Sequence, residues 1–206
     1  MYYVYIISAA VIGAIIYFSI NRNLCNEHNI MNDVPSLNVD KEGLKKHAGK
    51  ISNEYSAAGR TNCRKKVIKS LKESYDKILE CYLYIDKNFK NKRELVPAAE
   101  WLLDNLYLIE REYKDIIRSM PAHYYKNLPV IDQGIMKNYP RIYHIAVELV
   151  SHTDGRVDED IIESFINAYQ ESTILTSGEL WALPIMIRTA LIQNIGRVCE
   201  KLVLSE

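Results

Sequence analysis

The sequence predicts an all-α fold in which an N-terminal transmembrane helix precedes a helical-bundle-like domain of about five to six helices. Two patterns carry this prediction. The first twenty of the 206 residues contain no charged side chain, and the later segments repeat apolar residues every three or four positions, as helices with one buried face do. No segment shows the period of two that is typical of a strand-alternating sheet. We therefore expect a membrane anchor over residues 1–22, a tether over 23–39 and an all-α domain over 40–206.

The N-terminal segment matches a bilayer in length, because about twenty apolar residues at roughly 1.5 Å each cross its hydrocarbon core. A cleaved signal peptide is the alternative, but no Lys or Arg precedes Arg22 and no A-x-A site follows the apolar run. Basic residues follow the span, which favours a single-pass protein with its body in the cytoplasm. Residues 23–39 are rich in Asn and contain Pro35, a composition typical of a tether.

The first two helices of the domain are predicted from a cap and from an apolar stripe. Asp40 is a suitable N-cap for a helix that continues to about Ala58, before a break at Gly59. A longer helix follows, with a stripe from Val67 to Ile85 and a lysine-rich outer face. A solvated outer face is the ordinary explanation of those lysines.

The middle of the chain is predicted to contain two helices and one loop. Pro97 suits the first turn of a helix that continues to Pro121. Residues 121–140 contain three prolines and a glycine, which predicts an ordered loop without a regular element. The next helix begins near Pro140 and ends at the Asp-Gly turn signal of residues 154–155.

The last two helices begin with recognisable caps. Asp158 can accept a hydrogen bond from the first turn of one helix. Thr176 and Glu179 fit a capping box at the start of the other, in which each side chain satisfies a free amide at the other residue. This final helix continues to about Leu204, and Pro184 inside it predicts a kink because proline cannot donate the helical hydrogen bond.

Composition and motifs argue against several functional classes. The 26 basic and 26 acidic residues give zero formal net charge, so no nucleic-acid partner is predicted. The sequence lacks a phosphate-binding glycine loop, a G-x-S-x-G elbow and an H-E-x-x-H motif. Its four cysteines form no C-x-x-C pair and no metal-ligand cluster with the five histidines. We therefore predict no catalytic residue, no metal site and no cofactor in this chain.

Two pairs of polar residues could nevertheless carry chemistry. Glu100 and Asp104 share a helix face, as a general acid/base pair would, although exposed surface acids are the commoner explanation of this spacing. His144 and His152 lie about two helical turns apart and could hold a metal ion with further ligands. Hydrogen-bonded structural histidines are favoured, because no further ligand is evident from spacing.

Two tryptophans raise the question of sugar binding. Trp101 and Trp181 could each stack on a sugar ring. Aromatic residues on an apolar helix stripe usually fill a core, so core packing is the favoured interpretation of both.

Several short motifs occur together in an order that resembles a known family. They are Pro97–Asn105, Tyr124-Tyr125, Leu128-Pro129, Tyr139–Tyr143, His152–Asp154, Leu175-Thr176 and Gly178–Ala182. This ordered set, over approximately residues 43–204, resembles the N-terminal helical region of cyclic β-1,2-glucan synthases. The motif residues to which the resemblance assigns no role are Glu100, Trp101, Asp104, Asn105, His152, Asp154, Glu179 and Trp181.

The resemblance implies a connection with glucan synthesis at the bacterial inner membrane. Members of this family are very large inner-membrane proteins that polymerise glucose from UDP-glucose into β-1,2-linked chains and cyclise them. A glycosyltransferase domain and a phosphorylase-like domain follow the helical region in the family, and neither has a counterpart among these 206 residues. UDP-glucose is therefore expected as the donor of a complete synthase and not as a ligand of this chain.

Two functions are compatible with these observations. The resemblance implies the scaffold, or a truncated part, of a membrane-bound glucan synthase that is not catalytically complete alone. Its expected partners are the membrane and a glycosyltransferase domain of the same or a separate polypeptide. The alternative is a free-standing, membrane-anchored helical module that binds a partner protein. The sequence leaves open whether the chain has enzymatic activity by itself.

The resemblance also makes tyrosine hydroxyls candidate acceptors, because the family is understood to build its glucan on a protein-linked intermediate. Tyr139 and Tyr143 lie in the matching Y-P-x-x-Y segment at a loop-to-helix boundary. A phenolic oxygen there could be accessible while its ring packs. Burial of both rings with hydrogen-bonded hydroxyls is the favoured alternative.

Overall fold

The computed structural model describes residues 41–55, 57–60, 64–90 and 97–204. These residues form seven helices and two short strands. In chain order they are α1 (Lys41–Glu54), β1 (Ala57–Arg60), α2 (Arg64–Lys90), α3 (Pro97–Arg118), α4 (Ala122–Tyr125), β2 (Pro129–Ile131), α5 (Arg141–His152), α6 (Glu159–Gln170) and α7 (Ser177–Leu204). The described domain is therefore all-α, with one small sheet attached.

The predicted fold class is wrong in including a transmembrane helix, because none is found among the described residues. Across residues 41–55, 57–60, 64–90 and 97–204, every helix is too short or too polar to cross a membrane. The helices here are amphipathic, with charged outer faces, and so lack the continuous apolar run that a span requires. The predicted anchor over 1–22 and the predicted tether over 23–39 lie outside the described residues.

Several predicted helix boundaries are confirmed. α3 begins at Pro97 and α5 begins directly after Pro140. Asp158 caps α6, since its carboxylate accepts a hydrogen bond of 2.8 Å from the backbone amide of Ile161. α7 continues through Pro184 to Leu204 as one helix, and the kink at this proline stays a prediction.

The two strands form a small antiparallel sheet that the sequence analysis does not predict. Ala57 lies opposite Ile131, and Arg60 lies opposite Pro129, with an irregularity between the two pairs. Residue Val130 also forms an isolated bridge with Pro140. This pairing joins the segment after α1 to the segment before α5.

The sheet corrects two predicted elements. The first helix ends at Glu54 and not near Ala58, and the predicted loop over 121–140 contains α4 and β2. β1 has the sequence AAGR, without a β-branched residue, and its Gly59 has a φ of 74°. Such a segment carries no local strand signal, so its pairing comes from the tertiary structure.

The core is arranged around α7, which packs against α2, α3 and α5. Its buried apolar residues lie on more than one face of the helix, as expected for a helix with neighbours on several sides. They are Ala182, Leu183, Met186, Ile187, Ala190, Leu191, Ile192, Ile195 and Cys199. Each fully buried Leu or Ile contributes about 1.5–3 kcal/mol, so α7 is a major source of stability.

α2 and α7 lie side by side and run in the same direction. The Gln193 amide donates a hydrogen bond of 3.0 Å to the Ser70 hydroxyl, and about two turns further on the Lys77 ammonium lies 2.6 Å from the Glu200 carboxylate. Between these two contacts the helices are very close at Gly196, where an added Cβ would lie 2.7 Å from a backbone oxygen of α2.

α3 runs antiparallel to α2. The rings of Tyr75 and Tyr113 stack with their centroids 4.3 Å apart and an angle of 9° between their planes. Arg64, at the start of α2, donates a hydrogen bond to the carbonyl of Met120, just after α3. α3 is consequently antiparallel to α7 as well.

α1 and α6 form the remaining packed pair. The hydroxyl of Ser52 donates a hydrogen bond of 2.9 Å to the carbonyl of Tyr169. The hydroxyl of Thr173 donates a hydrogen bond of 3.3 Å to the carbonyl of Ser52. These bonds attach the end of α1 to the end of α6.

Candidate functional site

The motif residues of α3 lie along its first turns. Glu100 and Asp104 are exposed, whereas Trp101 is partly buried and packs against the core. The side-chain amide of Asn105 donates a hydrogen bond of 2.9 Å to the carbonyl of Trp101, within the same helix. The two carboxylates thus occupy the solvent side of α3, and their use as an acid/base pair stays a prediction.

Tyr139 and Tyr143 form a stacked pair, with ring centroids 5.3 Å apart. Tyr143 is 4% exposed, and its hydroxyl donates a hydrogen bond of 2.9 Å to the side-chain oxygen of Gln193 on α7. Burial raises the pKa of Tyr143 above its ordinary value. Tyr139 is half-buried, and the ammonium of Lys66 lies 5.5 Å from its ring centroid. Tyr143 is therefore buried with its hydroxyl hydrogen-bonded, as the alternative to an acceptor role requires. The acceptor role of either tyrosine stays a prediction.

Glu179 is a fully buried charged residue, 0% exposed, and joins two elements. The predicted capping box is present: the Glu179 amide donates to the Thr176 hydroxyl at 3.3 Å, and the Glu179 carboxylate accepts from the Thr176 amide at 2.9 Å. The same carboxylate also accepts two hydrogen bonds, of 2.8 and 2.7 Å, from the guanidinium of Arg141. Burial lowers the pKa of Arg141, but the hydrogen bonds and charges of Glu179 and Tyr169 together outweigh this effect, so the net pKa is raised. The cap at the start of α7 is therefore also a buried ion pair with α5.

Trp181 is exposed, and the predicted core packing of this residue is wrong. Its relative exposure is 81%, because the buried stripe of α7 passes through Leu183 and Ile187 and leaves Trp181 on the outer side. Leu180, the preceding residue, and Ile174, just before α7, are also exposed, at 40% and 81%. We refer to Ile174, Leu180 and Trp181 together as the Trp181 surface.

The structure does not bring the motif residues together in one pocket. Trp181 lies near the start of α7, and α7 rises about 1.5 Å per residue over the 19 residues to Glu200. Since α3 is antiparallel to α2 and α7, the first turns of α3, with Glu100 and Trp101, lie towards the far end of α7. The two tryptophans are thus separated by most of the length of the bundle, on the order of 30 Å.

A cluster of three histidines and one glutamate links α1 to α5. In this histidine-glutamate cluster, Nε2 of His47 donates a hydrogen bond of 2.8 Å to Oε2 of Glu148. Nε2 of His144 lies 3.2 Å from Oε1, and Nδ1 of His152 lies 3.5 Å from Oε2. His47 and His152 also stack, with ring centroids 3.6 Å apart and a 27° angle between the rings.

The surroundings of the cluster keep Glu148 ionised. Burial by itself raises the pKa of Glu148, but the hydrogen bonds and charges of His144 and His47 outweigh this effect and hold the pKa far below its ordinary range. The side chain of His144 is 4% exposed, against 21% for His47, 26% for Glu148 and 33% for His152. One side of the cluster is thus buried and the other is accessible.

The sequence predicts only part of this cluster. His144 and His152 are singled out as a pair, and Glu148 lies between them at the i+4 position of the same helix face, a spacing visible in the sequence. His47 is separated from Glu148 by 101 residues, so no local pattern connects the two. Asp154, the motif residue that follows, lies in the turn after α5 with a φ of 55°.

The chain is related to a known protein over part of its length. No protein-family model matches it. A similar curated protein is the cyclic β-(1,2)-glucan synthase NdvB of Rhizobium meliloti (strain 1021), with 34% identity over 128 residues. The match covers 62% of this chain and 4% of the synthase. This similarity supports a relation to that protein, in agreement with the ordered motifs, and the matched segment is a small fraction of the synthase.

Proposed function

We propose that this chain is a helical scaffold that works with the catalytic domains of a cyclic β-1,2-glucan synthase and is not catalytically complete alone. The supporting observation is the 34% identity to NdvB, which extends over 62% of this chain but only 4% of the synthase. Catalytic domains would belong to the same polypeptide or to a separately encoded partner. Association with such a synthase would bring the chain to the bacterial inner membrane, with UDP-glucose bound by the partner.

The roles of the motif residues are consistent with a scaffold. Glu179 and Tyr143 connect α7 to α5 through the Arg141 ion pair and the Gln193 hydrogen bond. These contacts maintain a helical domain and leave the motif side chains distributed along it. A scaffold needs such a rigid domain and an outer surface for its partner.

The Trp181 surface is the part of the domain that we assign to contact with the glycosyltransferase domain. Trp181 belongs to the GELWA motif and is 81% exposed. Tryptophan is enriched among residues that dominate binding energy at protein interfaces. Tyr124 donates a hydrogen bond to the carbonyl of Gly178, which attaches the start of α7 to α4 and positions this surface.

A chimeric synthase tests this proposal. The segment of NdvB that matches this chain is replaced by residues 41–204, and cyclic β-1,2-glucan made from labelled UDP-glucose is measured in Rhizobium meliloti membranes. We expect the chimera to make more glucan than an NdvB variant from which the segment is deleted, with abundance matched by immunoblot. Equal glucan production by the chimera and the deletion variant, at equal abundance, would overturn the scaffold function.

Two variants of the chimera test the contact surface. Trp181→Ala is expected to reduce glucan production by at least about tenfold, the range of an interface residue worth more than 1.4 kcal/mol. The matched control is Ile135→Ala, because Ile135 is 99% exposed and lies outside this surface. Equal losses in both variants would contradict the assignment of the Trp181 surface. Capture of a different partner by the chain, in cells lacking NdvB, would instead support an independent interaction module.

A further inference from the structure

The histidine-glutamate cluster gathers imidazole and carboxylate side chains, the groups that bind transition metals in proteins. Each carboxylate oxygen can accept two hydrogen bonds; ring nitrogens of both His47 and His152 approach Oε2 of Glu148, at 2.8 and 3.5 Å, and Nδ1 of His152 also lies 3.0 Å from the backbone carbonyl of Glu148. Ligand atoms of these three residues all lie within 4.8 Å of one another. We propose that His47, Glu148 and His152 form a binding site for a divalent first-row transition-metal ion.

The separations of the ligand atoms are close to those around such an ion. Zinc binds imidazole nitrogen and carboxylate oxygen at about 2.0–2.2 Å, so tetrahedral ligand atoms lie about 3.3 Å apart. The separations of 2.8 and 3.5 Å from Oε2 of Glu148 bracket this value. Two imidazoles and one carboxylate are an established ligand set for zinc, and imidazole also suits copper, nickel and iron. These nitrogen and oxygen donors therefore indicate a divalent first-row transition-metal ion.

His144 acts as the positioning residue for the carboxylate. Its Nε2 lies 3.2 Å from Oε1 of Glu148, whereas the contacts of His47 and His152 are with Oε2. The ring of His144 is itself fixed by Tyr55, whose ring meets it edge to face at a centroid distance of 4.5 Å. Metal-ligating carboxylates are usually held by such a second hydrogen bond, which orients them and keeps them ionised.

Metal binding requires the imidazole rings of His47 and His152 to rotate. A ligand nitrogen coordinates in the plane of its ring, so the stacked rings of His47 and His152, 27° apart, must rotate for both to face one ion. Both side chains are partly exposed, at 21% and 33%, and the rotation takes Nδ1 of His152 away from the backbone carbonyl of Glu148, which lies 3.0 Å from it. The same exposure allows the ion to enter and water to complete its coordination.

The position of the site predicts a structural consequence. His47 belongs to α1, which packs on α6, whereas Glu148 and His152 belong to α5, which packs on α7. A bound ion would link these two helix pairs. Because an ion that binds only the folded chain stabilises it, a concentration of 100 times the Kd is expected to raise the Tm by about 5–10 °C.

The experiment uses the full chain, purified through a tag without histidine and treated with a chelator. Binding of ZnCl2, and of CoCl2 or NiCl2 as alternative probes, is measured by isothermal titration calorimetry, and the Tm is followed by circular dichroism. We expect one ion per chain and a higher Tm. The expected losses are at least about tenfold in affinity for His47→Gln and for His152→Gln, because each removes one ligand.

His123→Gln is the matched control, because His123 is exposed on α4 and outside the cluster. It is expected to bind with unchanged affinity. For the positioning role, His144→Ala should weaken binding about 10–100-fold, and His144→Gln, which retains a donor, should recover part of that loss at unchanged stoichiometry.

Three results would overturn the site. They are an absence of binding and of any Tm change in the wild-type chain, unchanged affinity in both ligand variants, and an equal loss in His123→Gln. Circular dichroism shows whether each variant folds. His152→Gln affects the most exposed ring of the cluster, so it provides a folded variant if His47→Gln fails to fold.

Discussion

Replacing Gly196 by alanine is expected to destabilise the protein, although alanine is the better helix former. Gly196 lies in α7 where the helix is closest to α2. An added Cβ would lie 2.7 Å from the carbonyl oxygen of Ser74, 3.0 Å from its Cβ and 3.1 Å from its Cα. Two of these three atoms belong to the backbone, so no rotation of a side chain can relieve the contact.

The expected magnitude is the difference of two opposing effects. Alanine gains about 1 kcal/mol over glycine inside a helix. Forcing an additional carbon into a packed contact costs about 1–3 kcal/mol, and the upper part of that range applies where backbone must move. The net loss for Gly196→Ala is therefore about 1–2 kcal/mol, equivalent to a fall in Tm of about 2–8 °C for a chain of this size.

Gly49→Ala provides the matched control in the same assay. Gly49 also lies in a helix, α1, but an added Cβ would have nothing within 4 Å. This variant should gain up to about 1 kcal/mol. Urea unfolding followed by circular dichroism measures both changes. The reasoning is refuted if Gly196→Ala proves as stable as the wild type while Gly49→Ala is stabilised, because α2 and α7 would then not be in close contact.

Three further predictions concern individual side chains. Arg141→Gln should lower the free energy of unfolding, measured by urea titration, by about 3–5 kcal/mol, because Glu179 would be left as a buried, unpaired charge. The control Arg118→Gln removes an exposed ion pair and should cost less than about 1 kcal/mol. The pKa of Glu148 is lower in the folded than in the unfolded chain, so its contribution to stability is present above its ordinary value of 4.5 and is lost as the pH falls below that value. Glu148→Gln should therefore make the acid-induced loss of stability less steep, and urea midpoints that fall in parallel for variant and wild type would contradict this. Trp181→Ala should change the free energy of unfolding by less than about 0.5 kcal/mol, since the ring is 81% exposed; a loss of about 2 kcal/mol or more would show that the ring packs in the core.

The proposed metal site and the proposed scaffold function depend on different parts of the molecule. The histidine-glutamate cluster joins α1 to α5, whereas the Trp181 surface lies at the start of α7. Loss of metal binding in His47→Gln would therefore leave the scaffold function to be decided by the chimeric synthase. Failure of the chimera would likewise leave calorimetry of the isolated chain as a valid test of the metal site.

The helices and several of their ends follow from the sequence by itself. A period of three to four apolar residues identifies a helix and its buried face, and a cap depends only on neighbouring residues. This is why Asp158 and the Thr176–Glu179 box are predicted correctly. The ordered motifs likewise indicate the relation to a glucan synthase before any tertiary contact is known.

The tertiary structure decides which neighbour each face meets, because that choice depends on residues far apart in the chain. The outer position of Trp181, the pairing of β1 with β2 and the ion pair between Arg141 and Glu179 all have this origin. His47 meets Glu148 across 101 residues, and only the packing of α1 beside α5 creates that contact. Local periodicity specifies a buried face, but hydrophobic burial is non-directional and does not specify a partner.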